Sequence, residues 1–333
     1  MDVIIADSAR NELGVLLAIN SLDIDIGETE DFELVIPLYV SDKFKGFKDI
    51  ELEQFFYIPG TEYGGILEDV HISTYHKRRT WKGMTWRGLL TKAVIPLKNG
   101  EVQTVSGEAN GIIRTLLSGV LGGFFYVPNV SSGITISNYT FEKWDTVLNG
   151  LIGMLESAEA TLDIRVIRGD PFAVQVMAKP KTNLSETIEY TQDRRVNLTV
   201  RDCRTGINHL WCLGKENTIQ TDGYRDTVHL YWHPTNGIVT TKYYTGLSER
   251  IEYYENSSAA NVTKLEEEGR KKFLDLVNYK DMTVTVQDEE LNVGDYVTGR
   301  DKITETVVTK PIIRKILKLQ DGKYSTEYKT KGE

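Results

Sequence analysis

The sequence predicts a mainly β protein with helical insertions, of the α+β class. Apolar and polar residues alternate along short segments in the first hundred residues and again from Leu162 onward, which is typical of half-buried strands. Between residues 101 and 160 the apolar residues recur every three or four positions instead, which is typical of amphipathic helices. Many short strands separated by turn residues favour a barrel or a sandwich.

Two alternations in the first hundred residues are the clearest strand signals. Segment 22–26 reads Leu-Asp-Ile-Asp-Ile, and segment 32–36 reads Phe-Glu-Leu-Val-Ile before Pro37 ends the pattern. Further strands are predicted at 54–58, 65–74 and 81–86, with turn signals at Pro59-Gly60 and Lys82-Gly83.

The helical block carries two apolar stripes. The first runs from Ile112 to Leu121, with Ser106 available as its N-cap. The second includes Trp144 and continues to Leu155, with Thr140 available as its cap. We expect both stripes, including Trp144, to face a core rather than a cofactor.

The rest of the chain predicts strands, then a charged helix over 264–277, then a last set of strands typical of a small barrel. Together these patterns predict four segments: a β block at 1–100, a helical insertion at 101–160, a second β block at 161–260, and a linker helix with a small C-terminal barrel at 261–333.

Charge and hydropathy argue against two function classes. The formal net charge is −9, from 39 basic and 48 acidic residues, and no basic block marks a binder of free duplex DNA. The longest apolar run, 120–127, is too short and too rich in glycine for a membrane span. We expect no leader peptide and synthesis in a bacterial host cytoplasm.

No residue pattern predicts catalysis, a cofactor or a metal. His229, His233 and Cys212 are the nearest approach to a zinc site, but no pair has a recognised ligand spacing. Neither a Gly-x-Ser-x-Gly elbow nor a phosphate-binding glycine loop is present. We therefore expect a protein that is not an enzyme and has no catalytic, cofactor-binding or metal-binding residues.

One basic cluster, Lys77-Arg78-Arg79, leaves two interpretations open. It is either a solvated hairpin tip or a contact with another subunit or with DNA. The 17 tyrosines suit protein interfaces and sugar stacking alike, so composition does not choose between those functions.

Three ordered stretches carry a resemblance to a known family. They are Trp86-Arg87-Gly88-Leu89-Leu90 with Ile95-Pro96, then 208–215 (Asn-His-Leu-Trp-Cys-Leu-Gly-Lys) with 226–231, and 294–301 (Gly-Asp-Tyr-Val-Thr-Gly-Arg-Asp) with 308–316. In this order they resemble the tail-tip or baseplate hub family of long-tailed, siphovirus-type phages and phage-derived tail-like particles.

The resemblance implies two tail-tube-like β-barrel domains, at 1–100 and 161–260, with the helical domain and the small barrel appended. It also implies a structural homotrimer at the distal end of the tail tube, which adapts six-fold to three-fold symmetry. Its partners would be the distal tail protein ring, the tape-measure protein and downstream tip or receptor-binding proteins, with DNA passing through the lumen. The predicted interface residues are Lys77, Arg78, Arg79, Trp86, Arg87, Trp211 and Arg300.

Two rival functions remain open at this point. Tyrosine, tryptophan and β content also suit a carbohydrate-binding or adhesion module of a tail tip. A cell-wall hydrolase would need paired carboxylates in a cleft, and acidic residues are abundant enough for such a pair to occur by chance.

Overall fold

A computed structural model describes residues 2–38, 50–118, 123–185, 189–191, 197–203, 205–216, 225–257, 259, 261–274, 276–277, 279–286, 291–303, 305, 307–320 and 322–330. Strands make up 48% and helices 15% of the residues that the structure describes, so the prediction of a mainly β protein with helical insertions is confirmed. Within the described residues the sheets do not close into a barrel, and the two-barrel architecture is therefore not confirmed.

The strands and helices of the first half are β1 (Ile4–Ala6), β2 (Glu12–Val15), β3 (Ser21–Ile26), β4 (Asp31–Pro37), β5 (Phe55–Tyr57), β6 (Gly64–Ile66), β7 (Asp69–Ser73), β8 (Arg78–Met84), α1 (Trp86–Thr91), β9 (Thr104–Glu108), α2 (Ala109–Leu117), β10 (Phe125–Tyr126), β11 (Thr135–Thr140), α3 (Val147–Glu156), β12 (Ala160–Ile167) and β13 (Ala173–Pro180).

The second half contains β14 (Glu189–Tyr190), β15 (Asn197–Cys203), β16 (His209–Glu216), β17 (Arg225–His233), β18 (Gly237–Val239), β19 (Ile251–Glu255), α4 (Val262–Leu274), β20 (Tyr279–Val286), β21 (Tyr296–Arg300), β22 (Val307–Gln320) and β23 (Lys323–Thr330).

The chain divides into two compact units. Unit 1 comprises residues 1–197, 283–298 and 309–329, and unit 2 comprises 198–282, 299–308 and 330–333. The boundaries of these units differ from those of the four predicted segments, because unit 1 combines residues 1–197 with residues 283–298 and 309–329. The four-segment division stays a prediction.

Unit 1 is built around a sheet that is buried on both faces. This sheet has the order β2-β1-β5-β6. Successive residues of β1 and β5 enter two different cores: Ile4 and Phe55 pack into one, and Ile5 and Phe56 into the other. Burial on both faces explains why these strands are continuous apolar runs rather than alternations.

The core on one side of this sheet is closed by a larger antiparallel sheet. Its strands in unit 1 run β23-β22-β3-β4-β8-β7, and β20 pairs with β23. Leu22 of β3 lies opposite Leu319 of β22, and both side chains are buried. The predicted strands at 22–26 and 32–36 are therefore confirmed, and strands from the two ends of the chain share one core.

The other core lies under α1, α2 and α3 and the sheet β10-β13-β12. Two details of the predicted helices are wrong. Helix α2 is capped by the Glu108 side chain rather than Ser106, and α3 by Thr146 rather than Thr140. Trp144 precedes α3 in a left-handed backbone conformation (φ 68°) and is 67% exposed, so it is not a core residue. The predicted stripe beyond Ser118 includes residues 119–122, which lie outside the described residues.

Unit 2 is a four-stranded sheet covered on one face by a helix. The sheet has the order β18-β17-β16-β19, with β19 parallel to β16. Helix α4 begins at the predicted charged segment, where Asn261 Oδ1 accepts the Lys264 N–H (2.9 Å). Its buried residues Leu265, Gly269 and Phe273 are spaced four apart and face the sheet.

Of the helices that the structure describes, the longest is α4 with 13 residues, and it is charged. None has the length and apolar character that a membrane crossing would require.

Candidate functional site

The basic cluster lies at the end of the β7–β8 hairpin in unit 1. Ser73 pairs with Arg78, so the residues between them form the tip. Lys77 and Arg78 are exposed, and Tyr75 beside them is 88% exposed. Arg79 is partly buried and has partners of its own. The tip therefore presents two cations and an aromatic ring to the surroundings.

Trp86 and Arg87 lie in the interior of unit 1 rather than on its surface. Both belong to α1, whose N-cap is Thr85. The Trp86 ring is 0% exposed and packs near Phe55 and Phe172, with ring centres 6.0 Å and 5.9 Å away. Both side chains are buried in the core of unit 1, so neither presents a surface there that a second chain could contact.

Arg87 belongs to a buried ion network. Its Nε donates to Glu62 Oε2 at 3.0 Å, and its Nη2 donates to the carbonyl of Leu162 at 2.9 Å. Lys315 of β22 forms an ion pair with the other oxygen of Glu62 and lies over the Tyr63 ring, 5.0 Å from its centre. The charged ends are almost fully buried, with exposed fractions of 6% for Glu62 and 1% for Lys315.

Two carboxyl groups near this network have opposite pKa shifts. Burial alone would raise the pKa of Glu62, but the attraction of Lys315 and then of Arg87 lowers it to about 2. Burial raises the pKa of Glu30 to about 7, although Arg87 and the Gly27 N–H oppose that shift. Glu62 is thus held ionised, whereas ionised Glu30 is disfavoured.

Trp211 lies on the face of the unit 2 sheet that is opposite α4. Leu210 and Cys212, its neighbours on β16, point to the core under the helix. On the open face Trp211 is opposite His229 of β17 and Tyr253 of β19. The centre of the Trp211 ring lies 4.9 Å from that of His229 and 5.3 Å from that of Tyr253, and the interplanar angles are 31° and 38°. We call Tyr253, Trp211, His229, His209 and Tyr231 the aromatic face.

A chain of hydrogen bonds anchors one end of the aromatic face. His209 Nδ1 lies 2.8 Å from Glu249 Oε1, and His209 Nε2 lies 2.9 Å from His229 Nδ1. Lys242 Nζ forms an ion pair with the other oxygen of Glu249 at 2.7 Å. The hydrogen bond from Lys242, assisted by that from His209, lowers the pKa of Glu249 and keeps it ionised.

The residues considered as zinc ligands do not form a site. Cys212 is on the helix side of the sheet, whereas His229 is on the open face. Burial raises the pKa of the Cys212 thiol to about 11, which disfavours the thiolate that a metal requires. Among the described residues, no group of three or more His, Cys, Asp or Glu side chains is arranged to hold a metal ion.

An acidic groove of about 570 Å³ lies on the larger sheet of unit 1. Its walls include Asp23, Asp31, Glu33 and Glu68, against a single lysine, Lys82. Burial, together with neighbouring carboxylates, raises the pKa of Asp23 in spite of Lys318. The groove is thus a region of negative potential.

The predicted interface residues fall into three places. Lys77, Arg78 and Arg79 are at the hairpin tip, Trp86 and Arg87 are in the core of unit 1, and Trp211 is on the aromatic face of unit 2. Arg300, at the end of β21, is partly buried and already has a partner. Whether the exposed members contact other chains stays a prediction.

No protein-family model matches the sequence, and no curated protein sequence matches it either. Solved structures match over the full length. The 43 kDa tail protein of prophage MuSo2 from Shewanella oneidensis has a TM-score of 0.60 at 12% identity, covering 99% of this chain and 98% of that one. A tail protein from Neisseria meningitidis has 0.55 at 13%, covering 100% and 96%. Prophage tail protein gp18 from Listeria monocytogenes has 0.51 at 13%, covering 100% and 95%.

The fold is that of phage tail proteins. A chain of the phage P2 virion baseplate in its activated conformation matches as well, with a TM-score of 0.50 at 10% identity, covering 99% of this chain and 98% of that one. The resemblance drawn from the three ordered stretches is confirmed at this level, as a likeness to tail and baseplate proteins. The finer identification as a siphovirus-type hub stays a prediction.

Sequence reasoning missed Glu62, Lys315, Glu249 and Lys242, which complete the two polar networks. Glu62 and Lys315 come from distant parts of the chain and have no local pattern in common. The one local signal was Lys315 itself, which lies two positions from Ile313 and from Leu317 and so takes the place of an apolar residue in the alternation.

Proposed function

We propose that this protein is a structural subunit of a phage-type tail, and that it acts as the hub at the tail tip. The observation that carries the proposal is the likeness to several phage tail proteins along almost the whole of both chains. At these identities the likeness speaks for the fold alone. The tail function is therefore our inference.

In this proposal three copies form a ring at the distal end of the tail tube. Each copy contributes two similar β modules, so three copies match a six-fold tube above and present three-fold symmetry below. The partners are the distal tail protein ring, the tape-measure protein and the tip or receptor-binding proteins that follow. The assembled location is the virion tail tip, after synthesis in the host bacterial cytoplasm.

DNA and the tape-measure protein pass through the ring without binding tightly to it. A net charge of −9 favours such transit because acidic walls repel phosphates. The acidic groove of unit 1 is a described surface with the charge that a lumen wall would need.

The hairpin tip is the surface that we assign to contacts between subunits. Lys77, Arg78 and Tyr75 are exposed, and a tyrosine ring beside two cations suits a protein interface. Arginine and tyrosine are enriched among the residues that dominate binding energy.

The test is to locate and count the protein in tail particles made with its neighbouring genes. We expect a tagged chain to appear in three copies at the distal end of the tube in electron micrographs. Absence from the particle, or a copy number other than three, would overturn the hub proposal.

The hairpin assignment has its own test. Lys77→Glu with Arg78→Glu should reduce incorporation into particles without lowering the melting temperature of the free chain. Lys98→Glu with Lys143→Glu is the matched control, because both lysines are exposed in unit 1 and the net charge changes equally. Equal incorporation of the two double variants would remove the hairpin from the interface.

A carbohydrate-binding or adhesion module is the second candidate, favoured by Tyr253, which is 63% exposed at the edge of the aromatic face. A sugar would stack on its free ring face. Binding to a glycan array that is lost in Tyr253→Ala would support this function. If the protein bound no glycan on the array, that result would count against it.

A further inference from the structure

Neighbouring rings of the aromatic face lie close together at low interplanar angles. His209 and Tyr231 are direct cross-strand partners, with ring centres 4.4 Å apart at 31°. Trp211 and His229 are the next such pair, at 4.9 Å and 31°. Ring centres this close at low angles place the faces of neighbouring rings toward each other. The orientation of His229 therefore fixes the surroundings of Trp211.

Among the described residues, His209 is the one hydrogen-bond partner of the His229 ring, and this bond holds His229 in its orientation. The bond joins His209 Nε2 and His229 Nδ1 at 2.9 Å. His209 is the fixed partner, since it is 6% exposed and bonded to Glu249 through its other nitrogen. His229 is the more exposed ring of the two.

The number of protons on His209 and His229 decides whether the hydrogen bond between their rings can form. Ionised Glu249 only accepts, so His209 Nδ1 carries a hydrogen. Neutral His209 then accepts at Nε2, and His229 Nδ1–H donates to it. One added proton is tolerated, because the charged ring donates to the neutral one and a single hydrogen still lies between them. A second added proton places hydrogens on both facing nitrogens, and the bond breaks.

We propose that the chain Glu249–His209–His229 is a proton-operated latch, which fixes the aromatic face at neutral pH and releases His229 when both imidazoles are protonated. The latch goes beyond the proposed tail function and does not depend on it. Released His229 leaves the Trp211 ring and opens the centre of the aromatic face.

The groups around the latch set the pH at which it opens. Tyr231 on β17 faces His209, Trp211 on β16 faces His229, and Lys242 precedes β19 and pairs with Glu249. Burial first, then His209 and Lys242, lower the pKa of His229. The second proton therefore binds below the ordinary imidazole range of roughly 6.5. Helix α4 covers the opposite face, and its Glu266 acts on Cys212 instead.

The latch is tested by fluorine NMR on the full chain labelled with 5-fluorotryptophan. The five tryptophans give separate probes, and Trp211→Phe assigns the signal of Trp211. We expect the Trp211 signal to shift in an acid transition while the signals of buried Trp81 and Trp86 in unit 1 stay in place. His229→Gln should abolish the Trp211 transition, because glutamine cannot take up a proton.

Two further variants separate the latch from ordinary titration. Glu249→Gln keeps an acceptor but removes the charge, so the Trp211 transition should move to lower pH. His71→Gln in unit 1 is the control and should leave the transition unchanged. A Trp211 shift that survives in His229→Gln would overturn the latch. So would a Trp211 signal that stays constant until Trp81 and Trp86 report global unfolding.

Discussion

The interior of unit 1 and the open face of unit 2 reverse the usual distribution of residue types. Unit 1 seals the charged ends of Glu62, Arg87 and Lys315 in its core. Unit 2 places Trp211 and Tyr253 on the sheet face opposite α4, where Tyr253 is 63% exposed. Residue type alone would have assigned the charges to the surface and the rings to the core.

The difference shows what each arrangement is suited for. A buried ion network with its hydrogen bonds satisfied tolerates no loss of a partner, so it fixes how β22, α1 and the Glu62 loop meet. The rings of the aromatic face are joined by the His209–His229 hydrogen bond and most of them are at least partly exposed, so they suit a surface that changes. The comparison predicts large stability effects in the first region and small ones at exposed rings.

Glu62 gives the most direct test of the comparison, because we expect the largest loss of stability there. Glu62→Gln removes the carboxylate that pairs with both buried cations, Arg87 and Lys315, and we expect a loss of about 3–5 kcal/mol in the free energy of unfolding. Glu33→Gln is the control, because the Glu33–Lys82 pair is about half exposed and should contribute no more than about 1 kcal/mol.

Urea denaturation at several pH values measures both variants. The contribution of Glu62 is present above pH 4.5 and is lost as the pH falls toward about 2, since its folded pKa lies below the ordinary value. A loss below about 1 kcal/mol in Glu62→Gln would mean that the three charges are solvated.

Glu30 gives the opposite pH dependence. Its pKa rises from 4.5 to about 7 on folding, so the unfolded chain ionises first and stability falls as the pH rises between these values. At about 1.36 kcal/mol for each pH unit, the penalty above pH 7 is up to about 3 kcal/mol. Glu30→Gln should therefore be more stable than the parent at pH 8.

The advantage of Glu30→Gln should vanish near pH 4.5, as measured by urea denaturation at both pH values. Glu28→Gln, on the same turn but exposed, should show no such pH-dependent gain. An equal gain in stability in both variants would show that the effect comes from the net charge of the turn rather than from the burial of Glu30.

Gly269 sharpens the comparison inside unit 2, on the covered face of its sheet. An alanine Cβ there would lie 2.5 Å from Cys212 Sγ and 3.1 Å from Leu230. Crowding outweighs the helix propensity gain of about 1 kcal/mol, and we expect Gly269→Ala to cost about 1–2 kcal/mol net. Thermal unfolding should show the double variant Gly269→Ala with Cys212→Ala to be less destabilised than the sum of the two single variants.

Trp144 should give the smallest effect. The ring is 67% exposed, with Lys143 Nζ 5.7 Å from its centre. Trp144→Ala should change the free energy of unfolding by less than about 0.5 kcal/mol, against about 3–5 kcal/mol for buried Trp86→Ala. A loss above about 1 kcal/mol at Trp144 would show that large rings stabilise this fold even at the surface.

Local patterns predicted the elements better than their partners. The alternations at 22–26 and 32–36 identified β3 and β4, because Leu22, Ile24, Phe32 and Leu34 are buried while Asp23 and Glu33 between them are exposed. The stripe before α3 was read one turn too early, because Thr146 caps the helix directly before its first residue and Trp144 sits in a turn. Helix α1 was not predicted, and its first residue, Trp86, was placed at the end of the strand 81–86, since six residues are too few for a helical period to show.

Long-range pairing was outside the reach of the sequence. Arg314 of β22 binds Asp25 of β3 although the two are 289 residues apart, and nothing local in either strand specifies that neighbour. The exposed members of the candidate hairpin interface had a local signal, the run of three basic residues Lys77-Arg78-Arg79. Glu249 and Lys242 had none, because their importance arises only from the position of His209.

The doubly buried sheet at the centre of unit 1 has a consequence for biosynthesis. Its strands β1 and β5 emerge from the ribosome early, but one of the two cores they enter needs Leu317 and Leu319 of β22. The nascent chain therefore leaves this apolar surface uncovered until β22 has been synthesised, which is a hazard for aggregation. Shielding by a chaperone during that interval would govern how much protein a cell accumulates, independently of how stable the finished molecule is.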